Sequence, residues 1–123
     1  MANPNIVNVT SIYGNTAYLV PTTTTATAWT GLTPSTGTVN KIGSIVATNV
    51  TASPATITVS INSAISGGGT AYRLTYQTAV PANASLIIVD KSTAIYVGEA
   101  QSIVVTSGTT NAIEMTATYE AIS

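Results

Sequence analysis

Apolar and polar residues alternate with a period of two along most of the chain. Ile57, Val59 and Ile61 alternate with Thr56, Thr58 and Ser60, and Tyr72, Leu74 and Tyr76 with Arg73, Thr75 and Gln77. Ile113, Met115, Ala117 and Tyr119 alternate with Glu114, Thr116, Thr118 and Glu120. Successive strand side chains point to opposite faces, so each run predicts a strand with an apolar face toward a core and a polar face outward. On this reading Tyr72, Tyr76 and Tyr119 are core residues whose hydroxyls reach the rim. Further strands are predicted over residues 6–12, 16–20, 39–49, 86–89, 94–97 and 102–106. No segment carries an apolar stripe of helical period and length.

Turn chemistry separates these runs. Tyr13-Gly14-Asn15 is expected to divide the first two strands, and Ser53-Pro54, Gly67-Gly68-Gly69, Pro81-Ala82-Asn83, Asp90-Lys91-Ser92, Gly98 and Ser107-Gly108 divide later ones. Glycine supplies positive φ and proline cannot donate to a strand ladder. Eight or nine short strands at this spacing predict an all-β chain, one β-sandwich or jelly-roll-like domain over residues 1–123. Pro21 to Pro34 stands apart. Its tract Thr22-Thr23-Thr24-Thr25 is extended by preference but has no apolar face beyond Trp29 and Leu32. It reads either as a long edge strand or arm, N-terminal or Thr-rich, that orders against a neighbour, or as a loop packed on its own domain.

Composition narrows the function classes. The 123 residues include no His, Cys or Phe and only seven charged side chains, Lys+Arg 3 and Asp+Glu 4. The net charge of −1 gives no steering field for nucleic acid or an anionic membrane. Charged residues make up 6%, far below the roughly 25% of ordinary soluble domains, and mean hydropathy is +0.38. The longest apolar runs, such as Leu86 to Val89, fall well short of the ~20 residues of a spanning helix, and Met1 opens no stretch resembling a secretory signal. High hydropathy without a membrane span predicts burial in an assembly. Isolated β-proteins blunt their edges with Lys, Pro or inward charge. Here Thr and Ser take those outer positions, so neighbours are expected to cover the outer faces or edges.

Candidate chemistry is sparse. Asp90, Glu99, Glu114 and Glu120 show no pairing suited to acid–base work, and Glu114 and Glu120 share the solvent parity of one strand. A Ser nucleophile would have only Lys41 or Lys91 as base, with no motif around either. The triple glycine at 67–69 lacks the Lys and helix of a phosphate loop. An all-oxygen calcium site built on Asp90 is the one metal reading left open. No cofactor is expected. Trp29, outside any clear strand face, is the expected interface anchor. A glycan- or ice-binding module is the reading from a different class, resting on Thr22/Thr24, Thr56/Thr58 and Thr116/Thr118; the absence of a regular repeat counts against it.

The stretch Met1-Ala2-Asn3-Pro4-Asn5-Ile6-Val7-Asn8-Val9-Thr10, followed by Ile12-Tyr13-Gly14-Asn15-Thr16-Ala17, resembles small virion structural proteins of tailed bacteriophages, above all marine T4-like cyanophages. Gly68-Gly69-Thr70-Ala71-Tyr72, Val80-Pro81-Ala82, Leu86 to Lys91, Ile95-Tyr96-Val97 and the ending Glu114 to Ser123 carry the resemblance along the chain. It implies a capsid decoration or cement-type protein on the outer capsid surface of the virion. Its implied partners are the major capsid protein and further copies of itself, a homotrimer at local threefold sites or another homo-oligomer. Under it, Trp29, Leu32 and the run Pro4, Ile6, Val7 and Val9 are the expected contact residues. A neck, tail or fibre-attachment component is the alternative within the virion. No catalytic residue is implied.

Overall fold

The computed structural model describes residues 9–123. Nine strands follow in chain order: β1 (Ile12–Leu19), β2 (Thr27–Ala28), β3 (Val39–Asn49), β4 (Ala55–Asn62), β5 (Ala71–Val80), β6 (Ser85–Val89), β7 (Ile95–Val97), β8 (Ser102–Ser107) and β9 (Ile113–Ile122). Single 3-10 turns at Thr30–Leu32, Ile65–Gly67 and Lys91–Thr93 are the only helical pieces among the described residues.

The pairing is nested. Leaving β7 aside, β1 pairs with β9, β2 with β8, β3 with β6 and β4 with β5, all antiparallel. The chain is thus one long hairpin, first strand to last, rolled until β9 meets β3 and β8 meets β4. The roll leaves two sheets, ordered β1-β9-β3-β6 and β2-β8-β4-β5, with β7 on β3 beside β6. This is the jelly-roll form of a β-sandwich, and the expected fold class is the one the chain adopts.

A single apolar cluster fills the space between the sheets. Ile42, Ile45, Ile113 and Met115 enter from the first sheet, and Ile57, Val59, Ile103 and Val105 from the second. The alternation in β9 places Ile113, Met115 and Ala117 inward and exposes Glu114, Thr116, Thr118 and Glu120. In β3 the inward residues Ile42 and Ile45 are three apart. The strand reconciles this with a period of two through a register shift against β9 between Ile42 and Ser44, at Gly43. At one end of the sandwich, buried Asn49 acts as a staple. Its Nδ2 donates to the Ser53 and Val80 carbonyls at 2.8 and 3.0 Å, and its Oδ1 accepts from Thr51 N and Oγ1 at 2.9 and 2.7 Å.

Several expectations are corrected. Tyr13-Gly14-Asn15 is no turn: β1 runs through it in unbroken register with β9, and of the described residues 9–12 in the strand expected at 6–12 only Ile12 is in a strand. Residues 6–8 lie outside the described residues. Tyr72 and Tyr76 are not core; they stand 62% and 60% exposed. For Tyr76 the cause is that β5 shifts register against β4 around it, between Thr78 and Thr75, whereas Tyr72 faces Ile61 near the start of the outermost strand of its sheet. Leu74 and Tyr119 do pack, half-buried, against the core.

The Pro21–Pro34 segment is ordered against its own domain rather than extended as an arm. Asn111 N donates to the Pro21 carbonyl at 3.0 Å, β2 adds two residues to β8, and Trp29 N donates to the Ile103 carbonyl at 2.7 Å. Only the crest, Thr22 to Ala26, is exposed throughout.

Candidate interaction surface

Two of the expected contact residues, Trp29 and Leu32, lie inside the fold rather than on its surface. Trp29 is 2% exposed and Leu32 wholly buried, both in the main core cluster. They are corrected from interface anchors to core residues. The physical reason is local: β2 is only two residues long, and the indole and Leu32 supply the apolar volume that a longer strand would bring. Leu32 N closes the 3-10 turn onto the Trp29 carbonyl at 3.1 Å, and Asn40 Nδ2 fixes the Leu32 carbonyl at 3.0 Å. Trp29 Nε1 is buried with no hydrogen-bond partner among the described residues. Val9 is half-buried ahead of β1. Pro4, Ile6 and Val7 lie outside the described residues.

The two outer faces of the sandwich differ in kind. Over the β8–β4 side of the second sheet, the loop between β4 and β5 folds back as a roof. Asn62 Nδ2 donates to the Gly67 carbonyl at 2.9 Å, Gly67 N to Ser102 Oγ at 3.0 Å, and Ser102 Oγ to the Ala64 carbonyl at 2.8 Å. Ser60 Oγ completes the chain at 2.8 Å from Asn62 Oδ1. Ser60, Asn62 and Ser102 are all buried, so their polarity is spent within the fold. The roof requires left-handed backbone, with Gly67 and Gly69 at φ +79 and +70; a Cβ on Gly69 would run into Ser63 Oγ and the Ala64 amide.

Among the described residues, the first sheet has no such roof. Its outward residues form cross-strand rows. Tyr18, Thr116, Val46 and Ile87 stand in one row across β1, β9, β3 and β6. Thr16, Thr118 and Ser44 form the next, where the Ser44 and Thr118 hydroxyls meet at 2.7 Å. Gly14, Glu120, Lys41 and Tyr96 form a third. Beside these rows lies an open depression of about 560 Å³ lined by Lys41, Val46, Ile87, Lys91, Asp90 and Glu120 among others. Two of the chain's three cations and two of its four acids thus border one apolar-floored hollow.

Asp90 is committed to structure there. It caps the Lys91–Thr93 turn, its Oδ1 accepting from Ser92 N and Oγ at 2.9 and 2.6 Å and from Thr93 N at 3.2 Å. These bonds, led by the Ser92 hydroxyl, hold its carboxyl below the usual range. No group of three or more His, Cys, Asp or Glu gathers among the described residues. The threonine pairs share no plane: Thr116 and Thr118 face outward on the first sheet, Thr56 and Thr58 belong to β4 of the second, and Thr22 and Thr24 lie outside any strand.

Pattern reading missed Tyr18 and Ile87, exposed at 76% and 64%. Ile87 is hidden inside the continuous run Leu86 to Val89, where face cannot be assigned without a register. Compared with known families and curated proteins, the chain matches neither a family model nor a curated relative.

Proposed function

We propose that the chain is a non-enzymatic virion structural subunit, a capsid decoration protein that binds the assembled major capsid protein lattice on the outer surface of the shell. One observation carries this reading. Among the described residues, ten large hydrophobic side chains, including five of the six tyrosines, stand 42% or more exposed, on a chain with only seven charges. Such a surface is stable in water mainly when neighbours cover it. The jelly roll is a fold used by viral capsid domains, though lectins and cupins share it, so it supports the reading by association only.

The open outer face of the first sheet is the docking side. Its hollow offers an apolar floor with Ile87 and Val46, and charges of both signs at the rim to fix orientation. The mechanism is mass action. A subunit that binds only the assembled lattice lowers the free energy of that state and slows disassembly without performing chemistry.

Co-sedimentation with emptied, expanded capsids of the source virus, and with isolated tails in parallel, tests this. Saturable binding to capsids at a fixed ratio per capsid subunit is expected, and the ratio reports whether threefold or twofold sites are occupied. Ile87→Asp should weaken it at least tenfold while leaving the melting temperature near that of wild type. Binding to tails alone would transfer the chain to the neck, tail or fibre-attachment alternative. Binding to neither would refute the virion reading.

A further inference from the structure

A jelly roll leaves four strand edges, and three of them here are blunted. β2 is two residues long. β6 and β7 are five and three residues long and are interrupted by the capped turn carrying Asp90 and Lys91. β5 is long, but it shifts register twice, places Gln77 at φ 46 and carries Arg73. Bulges, short strands and charge are the devices that prevent strand addition.

β1 has none of them. All eight residues, Ile12 to Leu19, pair with β9 in continuous register, and none is charged or proline. Its other edge has no strand partner among the described residues. Of the ten large hydrophobics exposed among the described residues, four belong to this strand and its next residue: Ile12, Tyr13, Tyr18 and Val20.

Gly14 supplies an independent observation. It lies in the body of β1 without a positive φ, and a Cβ built on it would meet nothing within 4 Å. Neither a turn nor a close approach among the described residues calls for glycine at this position. Glycine weakens a strand interior and commonly marks the approach of another backbone or ligand.

The geometry points to a second copy of this chain as the occupant, adding β1 to β1 antiparallel about a twofold axis normal to the sheet. Such an axis keeps outward residues outward only when each residue faces one of like parity. Centred on Thr16, it sets Thr16 opposite Thr16 of the second copy, Gly14 opposite Tyr18, Tyr13 opposite Leu19 and Ile12 opposite Val20. The exposed Tyr18 ring then covers the open space over Gly14, a ring-over-glycine pairing used to protect glycine in strands. Centring on Asn15 instead sets Gly14 opposite Thr16 and leaves that space unfilled. No like charges meet at the seam, because the strand has no charge. The side chains covered, with the shared backbone, bury on the order of 1,000 Å² in total, the lower bound of specific interfaces. A roughly micromolar pair is therefore expected rather than an obligate one.

Pairing this way fuses the first sheets of the two copies and turns both hollows to the same side. The inference stands apart from the virion reading, since it needs no capsid to be tested.

Sedimentation equilibrium from roughly 1 to 200 µM, a range spanning the expected affinity, reads the pairing. Wild type should pass from the 12.4 kDa chain mass to twice that mass. Thr16→Lys, which opposes two cations on the axis, should raise the dissociation constant at least tenfold with an unchanged melting curve at dilution. Tyr72→Lys, on the β5 edge, should leave the mass profile as in wild type. Because the chain has no cysteine, Thr16→Cys gives one defined crosslink. Directly opposed residues lie about 4.5–5.5 Å apart at Cα, within disulfide range, so oxidation should give a covalent pair. A wild type that stays at chain mass throughout overturns the proposal and leaves the β1 edge to a different partner. A pair that survives Thr16→Lys, or a wild-type pair that Thr16→Cys does not crosslink, overturns it as well.

Discussion

β1 and β5 are both outermost strands of the same jelly roll, and they are held by opposite means. β1 keeps a regular backbone ladder of eight residues against β9, and among the described residues its side-chain hydrogen bond, Asn15 Nδ2 to the Tyr13 carbonyl at 3.3 Å, stays within the strand. β5 has ten residues but loses its regular ladder at two register shifts, and side chains repair it. Thr58 Oγ1 accepts from Gln77 N at 2.8 Å, the Thr75 and Thr78 hydroxyls bond to each other, and Asn49 Nδ2 caps the Val80 carbonyl at 3.0 Å. Arg73 lies 5.1 Å from the centre of the Tyr76 ring, a cation–π contact that holds charge on this edge. The difference teaches that regularity and openness go together. The ladder that makes β1 simple also leaves an intact template on its free side, whereas the bulges that cost β5 its alternation remove one.

The largest expected effect comes from taking away the support beneath β1. Gly31 packs so closely that an added Cβ would lie 3.4 Å from both Ala17 Cβ and Trp29 Nε1, which places the Trp29 loop directly under the strand. Trp29→Ala should lower unfolding free energy by about 3–5 kcal/mol in chemical denaturation. An unchanged midpoint would return Trp29 to the surface role expected from sequence.

Asn49→Ala attacks the opposite edge, removing four buried or half-buried hydrogen bonds around the end of β5. A loss of roughly 2–4 kcal/mol is expected by the same measurement.

Gly14→Val separates strand from seam. The position is open and has ordinary backbone, so the substitution should stabilise the dilute chain by about 0.5–1 kcal/mol. The same side chain would occupy the space assigned to Tyr18 of the second copy, so association should weaken. Stabilisation of both states would break the comparison.

Thr58→Val deletes one staple of β5 and should cost about 0.5–1 kcal/mol, because the freed Gln77 amide is exposed to water. Amide exchange at Gln77 should rise while that of β1 is unaffected.

The smallest effect concerns the β6–β7 edge. Asp90 has a folded pKa below its ordinary value of 3.8, led by the Ser92 hydroxyl bond. Its stabilisation is therefore fully present above pH 3.8 and disappears as pH falls through the lower folded value. Asp90→Ala should lower the melting temperature slightly at pH 7, and that difference from wild type should shrink below pH 3.8 and close once pH has passed the lower folded value. A gap that persists in acid would mean that the turn is held by something other than the carboxylate.

Much of the fold was legible because alternation survives wherever the ladder is regular. Residues 39–49 were read to their boundaries, and β9 shows the predicted inward and outward sets. Legibility stopped where backbone geometry intervened. Tyr72 and Tyr76 have the alternation of a core strand, but neither the bulge beside Tyr76 nor the outermost place of β5 leaves a mark in a pattern of residue types. Gly14 carries turn chemistry by composition yet lies in a strand, since a glycine's role depends on what approaches it. Trp29 looked free of any strand because β2 is too short to see, and its burial follows from the loop that closes over it. The interaction surface was hidden for the same reason: Tyr18 and Ile87 share a row only once four strands are placed in register.

Hydrogen–deuterium exchange of the β1 and β5 amides, followed as protein concentration rises, is the most direct measurement. The β1 amides not bonded to β9 should gain protection with concentration while those of β5 keep their dilute rates. Protection that grows along β5, or along neither strand, would contradict it.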